Sequence, residues 1–155
     1  MRITRYTDYS LRVLMYVAVR EEGELSTIGE VAKAYNISKN HLMKVVQELT
    51  SIGHLHAVRG KNGGIRLNRD PKDINIGALV RRMEQDLALV ECFGSSNQCV
   101  ITPACQLKNV LAEAMEAFFA TLDKYTLADL LPPARQKDLQ NLLGVVKFVD
   151  AAAGN

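Results

Sequence analysis

Residues 38–67 read SKNHLMKVVQELTSIGHLHAVRGKNGGIRL, and the fold turns on this stretch. Leu42, Val45, Val46, Leu49 and Ile52 recur at spacings of three and four, the period of a helix with one buried face. Ser38 precedes them as a cap candidate, and Gly53 falls where a left-handed residue can close the helix. Leu55–Arg59, Gly60–Gly64 and Ile65–Leu67 then read as strand, glycine-rich turn and strand, a hairpin. Before Ser38, Asn36-Ile37 makes a turn. Ile28, Val31, Ala32 and Tyr35 form a short helix with Ser26 as its expected N-cap. Further back, Leu11, Leu14, Met15 and Ala18 predict a helix over 5–20, ended by the Glu21-Glu22-Gly23-Glu24 run.

Two short helices across a tight turn, followed by a hairpin, spell a winged helix-turn-helix over residues 1–75. The start of its second helix would face base edges in a major groove, which nominates Ser38, Lys39, Asn40, His41 and Lys44. The hairpin would be the wing. Arg59, Lys61, Asn62 and Arg66 put positive and polar groups around it, and Gly63 and Gly64 let the backbone approach a phosphate closely. Charge agrees. Residues 1–70 carry a net +4, residues 71–131 a net −3 and residues 132–155 a net +1. For Asn40 and His41, contact with DNA and exposure to solvent stay equally open. His54 and His56 flank the first wing strand without a ligand-spaced partner, so they read as structural or exposed. A three-helix domain whose wing touches protein or nothing is the plain alternative.

The second half reads differently. Leu79, Val80, Met83 and Leu87 predict a helix over 76–88. Thr102-Pro103 would then open a long helix, Thr as cap and Pro in the first turn. Its apolar positions run from Leu107 to Leu122, and a helix of this kind, 103–125, commonly finds its partner in a second subunit. The fold class is therefore mainly α, a winged helix-turn-helix domain plus a long dimerisation helix. Residues 76–131 form the loop and dimerisation unit. Leu130-Leu131-Pro132-Pro133 is expected to end the ordered part, leaving 132–155 as a mobile C-terminal tail with a short helix possible over 134–143.

Between these helices lie the chain's three cysteines, Cys92, Cys99 and Cys105. The C-x6-C-x5-C spacing is too wide for a zinc ribbon and is not a ferredoxin run. Incidental thiols, a zinc site and a disulfide-forming sensor remain open beside an iron–sulfur cluster, which clustered thiolates favour. No stretch reaches the roughly 18 apolar residues of a membrane span, so no membrane partner is expected. The odd cysteine count points to a reducing cytoplasm rather than a disulfide framework. No nucleophile–base arrangement or cofactor fingerprint suggests an enzyme.

Three features together carry a resemblance. They are the opening MRITRYTDYSLRVLMY, the wing RGKNGGIRL and the cysteine triplet. Over about residues 1–131 the chain resembles a bacterial family of iron–sulfur winged-helix repressors. The resemblance implies a homodimer that binds double-stranded operator DNA. It also implies a cluster on Cys92, Cys99 and Cys105, [4Fe–4S] in preference to [2Fe–2S]. One branch of the family carries a histidine ligand three residues past the third cysteine, where this chain has Lys108. The match favours the nitric-oxide-sensitive branch, whose fourth ligand is a carboxylate from the neighbouring subunit at the position of Asp8. Nitric oxide would then be the signal. Read without the resemblance, Asp8 would simply cap the first helix beside Thr7. An iron–sulfur or thiol-based regulator responding to redox state or iron is the alternative.

Overall fold

Thr4 opens the first helix. Its hydroxyl oxygen accepts from the Thr7 N–H at 3.3 Å, so α1 runs Arg5–Ala18 with one of its unpaired first-turn donors satisfied. The computed structural model describes residues 2–145. After α1 come α2 (Ile28–Tyr35), α3 (Lys39–Ser51), β1 (Leu55–Val58), β2 (Gly64–Leu67), α4 (Ile76–Met83), α5 (Gln106–Leu122) and α6 (Pro133–Leu142).

The core is the meeting of apolar stripes. Val13, Leu14 and Val17 of α1, Leu42, Val45, Val46 and Leu49 of α3, and Leu79, Val80 and Met83 of α4 are all buried in one cluster. Thus α1 packs against both α3 and α4. The strands pair antiparallel with Leu55 opposite Leu67 and Val58 opposite Gly64. Leu55 and Ile65 point inward and the wing's other face is solvated. Gly53 has φ +78°, as a helix-closing residue should.

Four expectations change. Ser26 does not cap α2. Thr27 does, in a reciprocal box: Glu30 N–H donates to Thr27 Oγ1 at 3.1 Å, and Thr27 N–H donates to Glu30 Oε2 at 2.6 Å. The Ser26 backbone is committed elsewhere, bridged both ways to Ile65 of the wing at 2.8 and 2.9 Å. The helix expected over 76–88 stops at Met83. Glu84 turns extended and gives its carboxylate to Thr4, accepting from the Thr4 N–H at 2.8 Å and from its hydroxyl at 3.1 Å. Thr102-Pro103 makes only a single 3-10 turn, and α5 starts at Gln106. The Thr102 hydroxyl is occupied, donating to the Cys99 carbonyl at 2.8 Å and accepting from Asn97 Nδ2 at 2.9 Å.

Order also does not stop at Pro132-Pro133. These prolines start α6, which returns to α1, where Gln140 Nε2 donates to the Val19 carbonyl at 2.8 Å. The rest of the expected tail, 146–155, lies outside the described residues.

His54, at the foot of the wing, has its Nδ1 buried without a hydrogen-bond partner. Burial, aided by the Arg69 guanidinium, holds its pKa below the ordinary histidine value. The folded protein thus keeps His54 neutral where the unfolded chain would take up a proton. Stability should therefore fall as pH drops below about 6.5. Thermal unfolding followed from about pH 7 to about pH 5.5 should show this loss, and His54→Gln should flatten it.

Candidate nucleic-acid interface and thiol loop

The placement of α3 is set by the turn before it. Asn36 adopts a left-handed conformation, φ 52°, and Ile37 N–H returns to the Ala32 carbonyl at 3.0 Å. This closes α2 and launches α3 at an angle to it. Because Leu42, Val45, Val46 and Leu49 are buried, the opposite face of α3 is committed to solvent. Ser38, Lys39, Asn40, His41 and Lys44 are all exposed there. Ser38 occupies the N-cap position, but its side chain makes no capping bond. His41 is turned toward α1, its ring centroid 6.4 Å from that of Tyr9. Two residues of this face were missed in the sequence, Met43 and Gln47. Steps of three and four from Lys39, Asn40 and Lys44 would have found them.

The wing presents Arg59, Lys61, Asn62 and Arg66, all exposed. Its tip depends on Gly60, at φ +109°, and on Gly63, where a Cβ would run into the Val58 carbonyl oxygen. At Gly64 a Cβ would come within 2.7 Å of the Ser26 carbonyl, so the Ser26–Ile65 bridge requires glycine there too. Of the two wing histidines, His56 is exposed and His54 half-buried.

The cysteine loop is held almost entirely by itself. Gln98 N–H donates to Glu91 Oε1 at 2.7 Å, Cys99 N–H to Asn97 Oδ1 at 3.0 Å, and Gly94 N–H to the Glu91 carbonyl at 3.0 Å. All three thiols are free, Cys99 exposed and Cys92 and Cys105 half-buried. Three soft donors within 14 residues suit a thiophilic metal or cluster. Among the described residues, however, no three His, Cys, Asp or Glu side chains are close enough together to hold a metal ion. Beside Cys99, Val100 and Ile101 stand in solvent, Val100 at 91% exposure.

Asp8 does not cap α1, since Thr4 fills that place. It pairs instead with Arg12 one turn on, at 2.8 Å between Oδ2 and Nη2 and 3.0 Å between Oδ1 and Nε. The Arg12 guanidinium also lies 5.8 Å from the ring centroid of Tyr35, the last residue of α2. Burial pushes the Tyr35 phenol up to about 12. Beyond the apolar packing, Tyr9–His41 and the Tyr6 hydroxyl, which donates to the Lys44 carbonyl at 3.3 Å, join α1 to α3.

Known proteins share this arrangement. The profile of the Rrf2 family, described as an iron-dependent transcriptional regulator, matches residues 3–133. The chain belongs to the Rrf2 family. It is 54% identical over 144 residues to the HTH-type transcriptional regulator NsrR of Bacillus subtilis, covering 92% of this chain and 97% of that protein. NsrR of Bacillus licheniformis is 51% identical over 132 residues, 84% of this chain and 92% of that one. Among Rrf2-like folds, CymR, the global cysteine regulator of B. subtilis, superposes with a TM-score of 0.68 at 25% identity, covering 84% and 95% of the two chains. The IscR of T. potens gives 0.68 at 23%, covering 91% and 90%, a likeness of fold. This chain is thus a winged-helix transcription regulator of the NsrR type, as the resemblance in its sequence indicated. No described helix is long and apolar enough to cross a membrane.

The loop geometry orders the thiols by access. In metal-free protein Cys99 should react first with a disulfide reagent, ahead of half-buried Cys92 and Cys105. Stopped-flow titration should resolve a fast phase that Cys99→Ser removes.

Proposed function

We propose that the protein is a homodimeric transcriptional repressor that holds double-stranded operator DNA while an iron–sulfur cluster is bound, and releases it in response to nitric oxide. Cys92, Cys99 and Cys105 would hold the cluster, with Asp8 of the partner subunit as fourth ligand. Four such ligands could hold either cluster type, and the family resemblance favours [4Fe–4S] over [2Fe–2S]. When bound, the cluster supplies an iron held by a hard carboxylate oxygen, a weaker tie than thiolate and hence the point of entry for a small diatomic molecule. The NsrR name of the relatives and the iron dependence of the family support this reading.

The observation that carries it is the position of Asp8. It lies on the first turn of α1, is not grouped with the cysteines of its own chain, and shares its helix with the Tyr6 and Tyr9 contacts to α3. A carboxylate drawn across a subunit boundary would therefore fix the reading helix. A carboxylate set free has Arg12 one turn away to receive it. A second copy also suits α5, which buries only Phe119 among its 17 residues and leaves Leu107 and Val110 about three-fifths exposed. On the DNA, Asn40 and His41 would meet base edges. Ser38, Lys39, Lys44 and the wing residues Arg59, Lys61, Asn62, Gly63, Gly64 and Arg66 would hold phosphates and set register.

A second reading has its own observation. Cys99 is exposed, so oxidation of the thiols, or loss of iron, could be the signal instead. The two separate cleanly. With protein purified without oxygen and a labelled operator, nitric oxide should weaken binding more than a hundredfold, a loss of ~3 kcal/mol. Unchanged affinity would sink the nitric-oxide reading. Asp8→Ala should blunt the response, whereas a thiol-only sensor should ignore that change. Lys61→Ala should weaken binding to all sequences alike and reduce the salt dependence of log Kd by about one unit of slope.

A further inference from the structure

We infer that Met43 reads thymine, its side chain packing against the 5-methyl group of that base in the major groove. The inference deepens the operator-binding reading above and rests on it.

The argument begins with the faces of α3. At 100° per residue, the buried positions Leu42, Val45, Val46 and Leu49 centre on one side. Asn40, Met43, Lys44 and Gln47 lie more than about 100° from it, Lys39 sits at the edge of their face in the first turn, and all five are exposed. Met43 is the one apolar side chain of the five and is 51% exposed. It adds nothing to the core, whose α3 positions are already filled by leucine and valine.

The company Met43 keeps says what covers it. Lys39 and Lys44 flank it with positive charge, and Asn40 and Gln47 flank it with amides. Such a face is complementary to a groove edged by phosphates and lined by hydrogen-bonding base edges, and it does not match an apolar protein partner. Among those base edges the major groove offers one apolar feature, the thymine methyl. An unbranched thioether is well suited to reach it, because it adapts to an irregular surface without demanding one rotamer. Gln47, one turn further on, is of the type that pairs with adenine N6 and N7, so an A·T-rich half-site is the expected target.

The test removes the methyl and nothing else. The full-length, cluster-bound protein, handled without oxygen, selects duplexes from a random-sequence pool. Each dT of the selected half-site is then replaced singly by dU. Wild-type affinity should fall about fourfold at one or two positions, the size expected for one buried methyl. Met43→Ala should bind the dT duplex several-fold more weakly and be indifferent to dU at those positions. Met43→Leu should keep the sensitivity. Because Met43 is exposed, the thermal midpoint of Met43→Ala should match wild type, which separates lost reading from lost folding. Silence of every dU replacement overturns the assignment, and so does a Met43→Ala protein that retains the full dU penalty. A pool that yields no enriched sequence overturns the operator reading and the assignment with it.

Discussion

Everything in this molecule hangs on the packing of α1 against α3 and α4 at once. Val13, Leu14 and Val17 are nearly inaccessible, and they join the apolar stripe of the reading helix to that of the helix leading into the thiol loop. Close-packed interiors do not deform smoothly, so a shift at one end of such a helix is passed on rather than absorbed. The polar contacts follow the same layout. Glu84 holds the start of α1 from the α4 side, Tyr6 ties the next residues to the Lys44 carbonyl, and Arg82 of α4 pairs with Glu48 of α3 at 2.9 Å. The thiol loop follows α4, and α4 and the DNA-facing α3 both pack on α1.

The Asp8–Arg12 pair shows how little energy such an arrangement needs. Both side chains are about two-fifths exposed, so the pair is a surface ion bridge of small net worth. On the ligand role proposed for Asp8, a stronger in-chain lock would compete with that role, while Arg12 offers the free carboxylate a resting place. Arg12 is itself placed by the Tyr35 ring at the end of α2, so the resting place is built from the helix-turn-helix domain.

Much of this was legible in sequence because it is periodic. The three helices of the reading domain, the hairpin and the left-handed Gly53 follow from spacing and turn chemistry alone. What escaped was decided at a distance. Ser26 and Thr27 are both good caps, and the choice between them was made by Glu30 three residues on and by Ile65 in a wing 39 positions away. Thr102-Pro103 has the look of a helix start, yet Asn97 and the Cys99 carbonyl hold its hydroxyl. Met83 ends α4 because Glu84 is needed by Thr4, 80 residues earlier in the chain. The grouping of cysteines was plain in the sequence. A link to Asp8 came only from the resemblance, since no local pattern in one chain pairs that carboxylate with the cysteines, and the described residues bring no three possible ligands together.

The return of α6 has a consequence for how this chain can evolve. Gln140 holds the Val19 carbonyl just past the end of α1, while Glu84 holds Thr4 at its start. Both ends are thus pinned by segments far away in the chain. Adding or deleting one residue within α1 would turn one anchor by about 100° relative to the other and break register at both. Substitutions on its exposed side leave both anchors in place, but the helix cannot change length. Among related chains the number of residues between Thr4 and Val19 should be invariant, with length changes falling outside the anchored helix, as in the exposed 21–24 segment.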